Sequence, residues 1–206
     1  MTSILNKINY FFDAAPSILP SLLPYRSAPA ETGDIISGFH LKADQGFWEG
    51  KPSFISNNNL ITEKQLFKKP LVLSFYSPEW KNYGIQQLKT LHYLQEEINL
   101  LGGQLLIIAD IDLRTLKGLI TKNSFKLNFY SDPGHTLAEN LGVYNAADPV
   151  YNRFSGIDNN VPLLATYIIN PARKISFKYI DNFSDVFPAE DLLSALSAAP
   201  KIQYNS

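Results

Sequence analysis

One stretch concentrates side chains with reactive potential: Ser77-Pro78-Glu79-Trp80-Lys81-Asn82-Tyr83-Gly84. An ammonium at Lys81, beside the Glu79 carboxylate and the Trp80 indole, offers anion binding or, if desolvated, attack on a carbonyl to form a Schiff base. A solvated surface lysine is the ordinary alternative. Asp110 and Asp112 follow a strand end, where parallel sheets place ligands. Two acids alone make a thin metal set, and Asp112 equally suits the cap of the next helix. His40, His92 and His135 are scattered without metal-binding spacing and read as surface or structural residues. Gly102-Gly103 has neither the G-x-G-x-x-G pattern nor a Walker lysine, so it is no phosphate loop. The most telling feature is a missing residue type. None of the 206 residues is a cysteine, which removes disulfides, thiolate metal sites and sulfur nucleophiles together.

The elements that must position these groups follow from periodicity. Leu71–Tyr76 (LVLSFY) and Leu105–Ala109 (LLIIA) are short apolar runs of the kind that form strands covered on both faces. Between them Ile85, Leu88, Leu91, Leu94, Ile98 and Leu101 recur every three or four positions, which predicts an amphipathic helix over 84–101, stopped by Gly102-Gly103. Ser77, Pro78 and Glu79 suit the cap and first turn of that helix, an earlier start than 84; Asn82 is the alternative cap. Further helices are predicted over Leu113–Phe125, weakened by Gly118, from Thr136 to Leu141 with Gly142 as C-cap, and over Pro188–Leu196 with Glu190 and Asp191 in its first turn. Strands are predicted at Phe129-Tyr130, Thr166–Ile169 and Lys174–Ile180. Residues 143–163 lack a periodic pattern and read as a long loop, either functional or slack. Strand–helix alternation implies right-handed crossovers and parallel pairing, an α/β class.

Composition bounds the rest. Hydrophobic residues make up 45% of the chain and the net charge is −1. That balance provides a core but no footprint for nucleic acid and no basic patch for a membrane surface. The 11 tyrosines and 13 phenylalanines lack interleaved basic residues and read as core rather than base-stacking platforms. No apolar run is long enough to span a bilayer. Residues 1–30 read as an arm in which Ile4, Ile8, Phe11 and Phe12 are spaced for one short helix before prolines at 16, 20, 24 and 29. The arm packs on its own domain or serves a homodimer. Asn6, Lys7, Asn9 and Asp13 interrupt any signal-like apolar region, so a cytoplasmic location is expected. The remaining division is a domain at 31–200 and a tail at 201–206.

FYSPEWKNYG at 75–84 resembles FYRGGWCPYC of peroxiredoxin-like members of the alkyl hydroperoxide reductase/thiol-specific antioxidant (AhpC/TSA) family. Flanking segments agree in order and spacing. Gly33-Asp34 with Phe39 and Leu41 resembles the family's opening strand, G-D-x-A-P-x-F-x-L. Lys69-Pro70-Leu71-Val72-Leu73 is similar to the strand leading into the active site. Ser131-Asp132-Pro133-Gly134 with Ala138 and Gly142 resembles S-D-P-G-x-x-V-A-x-x-F-G, and Ala165–Ile169 resembles A-T-Y-V-I. The resemblance covers roughly 31–198. It implies a thioredoxin-like fold, a central mixed sheet flanked by helices, carrying an N-terminal arm.

Aligned on Trp80 and Tyr83, the family's first cysteine falls on Lys81 and its second on Gly84. Lysine cannot follow the thiol–sulfenate–disulfide cycle, which needs sulfur, and a helix N-terminus disfavours its charge. The proline that the family carries before A-T-Y, usually cis, falls on Leu164, with Pro162 two residues earlier. A cis bond before leucine costs about 2.5–4 kcal/mol, so a trans bond and a reshaped loop are expected. Trp80, Lys81, Asn82, Tyr83, Gly84 and Leu164 are therefore expected to form a degenerate redox site with no catalytic residue, metal or cofactor. The function this implies is a cysteine-free, non-catalytic redoxin domain that serves as a binding or regulatory module for a protein or small-molecule partner. Two alternatives stay open: an enzyme with non-thiol chemistry in the former cleft, and a thiol peroxidase in family label only.

Overall fold

The structure, a computed structural model, describes residues 28–50, 52–55, 59–183 and 186–199. The helix expected near Ile4–Phe12, three of the four arm prolines and the tail lie outside them. In chain order the strands and helices are β1 (Leu41–Lys42), β2 (Gly46–Phe47), β3 (Leu60–Ile61), α1 (Glu63–Leu66), β4 (Leu71–Tyr76), α2 (Lys81–Leu100), β5 (Gln104–Ala109), α3 (Leu113–Asn123), β6 (Phe129–Ser131), α4 (Thr136–Asn140), β7 (Ala165–Ile169), β8 (Ile175–Ile180) and α5 (Ala189–Ser197).

Six strands form one mixed sheet in the order β2-β6-β5-β4-β7-β8. β4, β5 and β6 run parallel, and β7 and β8 close the sheet as an antiparallel pair beside β4. Every residue of β4, β5 and β7 is buried, because alternate side chains enter two different cores. Leu71, Leu73 and Phe75 of β4 join Leu106, Ile108, Tyr167, the α4 residues Leu137 and Ala138, and the 143–163 segment on one face. Val72 and Tyr76 join Leu105, Ile107 and Ile168 beneath α2, α3 and α5 on the other. The fold is thus the α/β, thioredoxin-like arrangement.

The stripe that predicts α2 is visible in its burial. Leu88, Leu91 and Ile98 are buried, while Ile85, Leu94 and Leu101 pack half-buried against the same core. Gly102 adopts φ 85°, and Gly103 N–H donates to Ile98 O at 2.9 Å, a left-handed stop that glycine makes without strain. Ser124 ends α3 in the same region, φ 54°, one residue short of the expected Phe125.

One expectation needs correction, and one open alternative is decided. The opening strand over Phe39 and Leu41 is reduced to the isolated bridge Ile35–Lys174 and the two-residue β1. Phe39 and Leu41 still reach the core; it is the ladder that is lost. The 143–163 segment is not slack. Val143, Val150, Ile157, Val161 and Leu163 are buried, and they form a wall of the first core. Their irregular spacing follows a chain of turns and bends around one 3-10 turn at Val150–Asn152, so neither helical nor strand periodicity applies.

Candidate functional site

β4 delivers the chain to its parallel-sheet end at Tyr76, and the next residues turn at once. Ser77 is buried and its Oγ accepts from Glu79 N–H at 3.4 Å. Pro78 occupies the first turn position, but the turn is a short 3-10 unit over Pro78–Trp80 rather than the start of α2. Lys81, the first residue of α2, takes φ 50° and ψ −126° where the two meet. That region suits glycine and strains any residue with a Cβ. Ser77 therefore caps a separate turn, Asn82 caps nothing, and α2 begins without a side-chain cap.

Trp80 is almost fully buried, and its indole N–H donates to Pro162 O at 2.8 Å. Its ring meets Phe154 and Phe183 at centroid distances of 5.3 and 5.2 Å. Tyr83 meets Phe183 at 4.5 Å and stays about half exposed. Lys81 is exposed, and its ammonium donates to Gly156 O at 2.9 Å. The Glu79 carboxylate accepts from the Asn159 amide at 2.9 Å. Three bonds and an aromatic contact thus strap the 143–163 segment over the turn. A shallow cleft of about 280 Å³ remains, shared by Lys81, Asn82, Tyr83, Gly156 and Phe183.

Four of the six expected site residues, Trp80 to Tyr83, line this cleft; Gly84 and Leu164 do not. Gly84 faces inward, where an added Cβ would lie 2.9 Å from the Tyr76 ring. Burial pushes the Tyr76 phenol up to about 12, so that ring stays neutral. Leu164 is fully buried in the first core. No described peptide bond is cis, so the bond before Leu164 is trans, as expected. Phe154, Gly156, Asn159 and Phe183 carry no sequence signal for this role, since they come from loops about 75–100 positions away.

The remaining candidates disperse. Asp112 caps α3, accepting from Arg114 N–H at 2.8 Å and Thr115 N–H at 3.0 Å. Those bonds and the Thr115 hydroxyl hold its carboxyl below the usual range. Asp110 instead accepts from or donates to His135 Nε2 at 2.6 Å, and the His135 ring stacks on Tyr144 at 3.9 Å. Burial opposes protonation of His135, but the Asp110 hydrogen bond and charge, helped by Asp132 and Glu139, leave its pKa raised. Asp132 is buried, which lifts its carboxyl to about 6 although Leu137, Ala138 and Thr136 N–H groups bond it. This Asp110–His135–Asp132 group is a second titratable cluster. His135 and Asp110 were separate candidates, and their 25-residue separation hid the contact. His40 is exposed, and His92 packs on Phe125. No group of three metal-binding side chains occurs among the described residues. No helix among them is long and apolar enough to cross a membrane.

Residues 36–178 match the sequence profile of the AhpC/TSA family. Among solved structures, AhpC of Mycobacterium tuberculosis superposes with a TM-score of 0.61 at 18% identity, over 82% of this chain and 93% of that one. The peroxidoxin BcpB of the same organism gives 0.62 at 20%, over 82% and 97%. The reduced 2-Cys peroxiredoxin of Plasmodium vivax gives 0.61 at 13%, over 82% of each. At these identities the likeness is one of fold. No curated protein matches the chain.

Proposed function

Because this chain belongs to the AhpC/TSA family and yet has no cysteine, we propose that it is a redoxin domain converted from thiol chemistry to binding. The former redox position, Lys81, then contributes a surface contact instead of a nucleophile. The observation that carries this reading is the fate of the two aligned cysteine positions. One holds an ammonium committed to the Gly156 carbonyl. The other is a glycine against which the Tyr76 ring leaves no space for a side chain. The Trp80–Tyr83 cleft is shallow and bears exposed tyrosine, lysine and asparagine, which suits a protein or small-molecule partner better than a reaction needing exclusion of water.

The direct test is peroxide consumption by the full chain with thioredoxin or dithiothreitol as reductant. The expected rate equals that of the blank; turnover well above it overturns the reading. One observation favours the alternative of non-thiol chemistry: the backbone strain at Lys81, since strain gathers at working sites. A thermal-shift ligand screen with wild type and Lys81→Ala addresses that alternative through any product formed from a hit.

The reading includes a cytoplasmic location, checked by fractionation, and a homodimer. β8 supports the latter: it is the end strand of the sheet, and beyond Ile175, whose backbone bonds residues 33 and 34, its outer edge is one that a second copy can extend. Light scattering after size exclusion should return twice the chain mass; a monomer at high concentration refutes it.

A further inference from the structure

The 143–163 segment that straps the Lys81–Tyr83 cleft has a titratable contact at its root. His135 precedes α4 in left-handed backbone, φ 58°. Its Nε2 meets Asp110 Oδ1 at 2.6 Å. Its ring stacks on Tyr144 at 3.9 Å, with 23° between the planes. The imidazole is faced by Asp110 from the end of β5, Asp132 from the turn after β6, Glu139 from α4 and Tyr144 from the strap itself. Three of these four are acids, so the surroundings favour the protonated ring.

Two routes of direct bonds lead from Tyr144 to the cleft. On one side Val143 O accepts from Leu163 N–H at 2.8 Å, and Pro162 O, next along the chain, accepts from the Trp80 indole at 2.8 Å. On the other, Asn145 O accepts from the Asn160 amide at 3.0 Å, and the adjoining Asn159 amide donates to Glu79 at 2.9 Å. Between these roots the strap has little holding it. Seven of the nine residues from 151 to 159 are exposed, the pattern of a segment that opens locally at low cost. Lys81 and Phe183, which meet Gly156 and Phe154, hold φ of 50° and 67°, backbone of a kind that gathers at switch regions.

Resting on the reading of that cleft as a binding site, we propose that His135 is a latch on the strap: its imidazolium holds the 143–163 segment closed over the cleft, and loss of the proton lets the segment lift and bares Lys81, Glu79 and Trp80 to a partner. Two attractions weaken together in the neutral state. The hydrogen bond to Asp110 is no longer charge-assisted, and the cation is gone from the face of the Tyr144 ring. The fold raises the pKa of His135 above 6.5, so the strap is closed below the folded value and looser above it.

The test is hydrogen exchange on the full chain, read by NMR as protection factors from pH 6.5 to about 9, the reach of a carboxylate's pull on an imidazole. The probes are the Phe154 and Leu163 amides, bonded to Val150 O and Val143 O, and the Trp80 indole N–H. Their protection should fall by about tenfold across that range, the scale of a partly desolvated cation–π contact. In His135→Asn, whose asparagine accepts left-handed backbone, and in Tyr144→Leu, protection should start lower and no longer vary with pH. Asp132 and Glu139 remain in both variants, so their titration is common to all three proteins. Wild-type protection that is flat across the range overturns the latch. So does a pH dependence retained in Tyr144→Leu, where His135 still titrates beside Asp110. So does strap protection equal to that of Leu106 and Ile107 in β5, since the strap would then open only with the whole chain. Peroxide turnover would sink the binding role and leave the exchange result standing, whereas flat protection leaves a binding cleft without a latch.

Discussion

The Asp110–His135 contact illustrates how a single residue's chemistry depends on distant partners. Asp110 stands at the end of β5 and His135 just before α4, with Asp132, Glu139 and Tyr144 around the imidazole. The folded state holds the His135 proton more tightly than the unfolded chain does, since the pKa is raised from 6.5. Its contribution is therefore complete below 6.5 and fades as pH rises through the folded value. Urea unfolding of wild type and His135→Asn should show a wild-type advantage at pH 6.5 that shrinks as pH rises. An advantage that stays constant with pH would show that the proton is not involved. Asp132 pushes the same way at lower pH. Burial raises its pKa from 3.8 to about 6, so folding stability falls as pH climbs through that interval. Both proteins keep Asp132, so its direct contribution is common to the two curves.

At the scale of elements, α2 carries both what was legible and what was not. Its length and buried stripe were readable because a helix repeats its apolar side every three or four residues. Its start was not, because Ser77-Pro78 has cap chemistry that serves a 3-10 turn equally well. Nor was the left-handed backbone at Lys81 readable, because the residue there is a lysine and not the glycine that φ 50° favours. Gly84 shows the same limit. It sits within α2, where glycine to alanine ordinarily gains about 1 kcal/mol. Here the new Cβ would come within 2.9 Å of a buried ring, and overpacking costs typically ~1–3 kcal/mol. Gly84→Ala should therefore lower the denaturation midpoint. Gly118→Ala should raise it, because Gly118 lies in α3 with nothing within 4 Å of an added Cβ. A rise in both variants would mean that Tyr76 yields freely.

Across the whole molecule, the sheet was legible and the cleft was not, for one physical reason. Buried parallel strands announce themselves as apolar runs, whereas the cleft joins residues 79–83, 155–157 and 183 through folding alone. The same reason limits what sulfur alone could restore. Peroxide reduction by a thiolate forms an S–O bond and breaks O–O, expelling hydroxide. Rapid reaction needs a lowered thiol pKa and also donors aimed at the departing oxygen. Lys81→Cys would provide a thiol at the uncapped end of α2, but it deletes the cleft's own cation. Glu79, the neighbouring ionisable group, is an anion bonded to Asn159. The engineered thiol should therefore label readily with a maleimide, as an exposed group does, yet react with hydrogen peroxide within about tenfold of a free thiol of equal pKa. A rate several hundredfold faster would mean that the scaffold, and not the lost sulfur, still holds the transition-state machinery, and the binding role drawn from Lys81 would have to be abandoned.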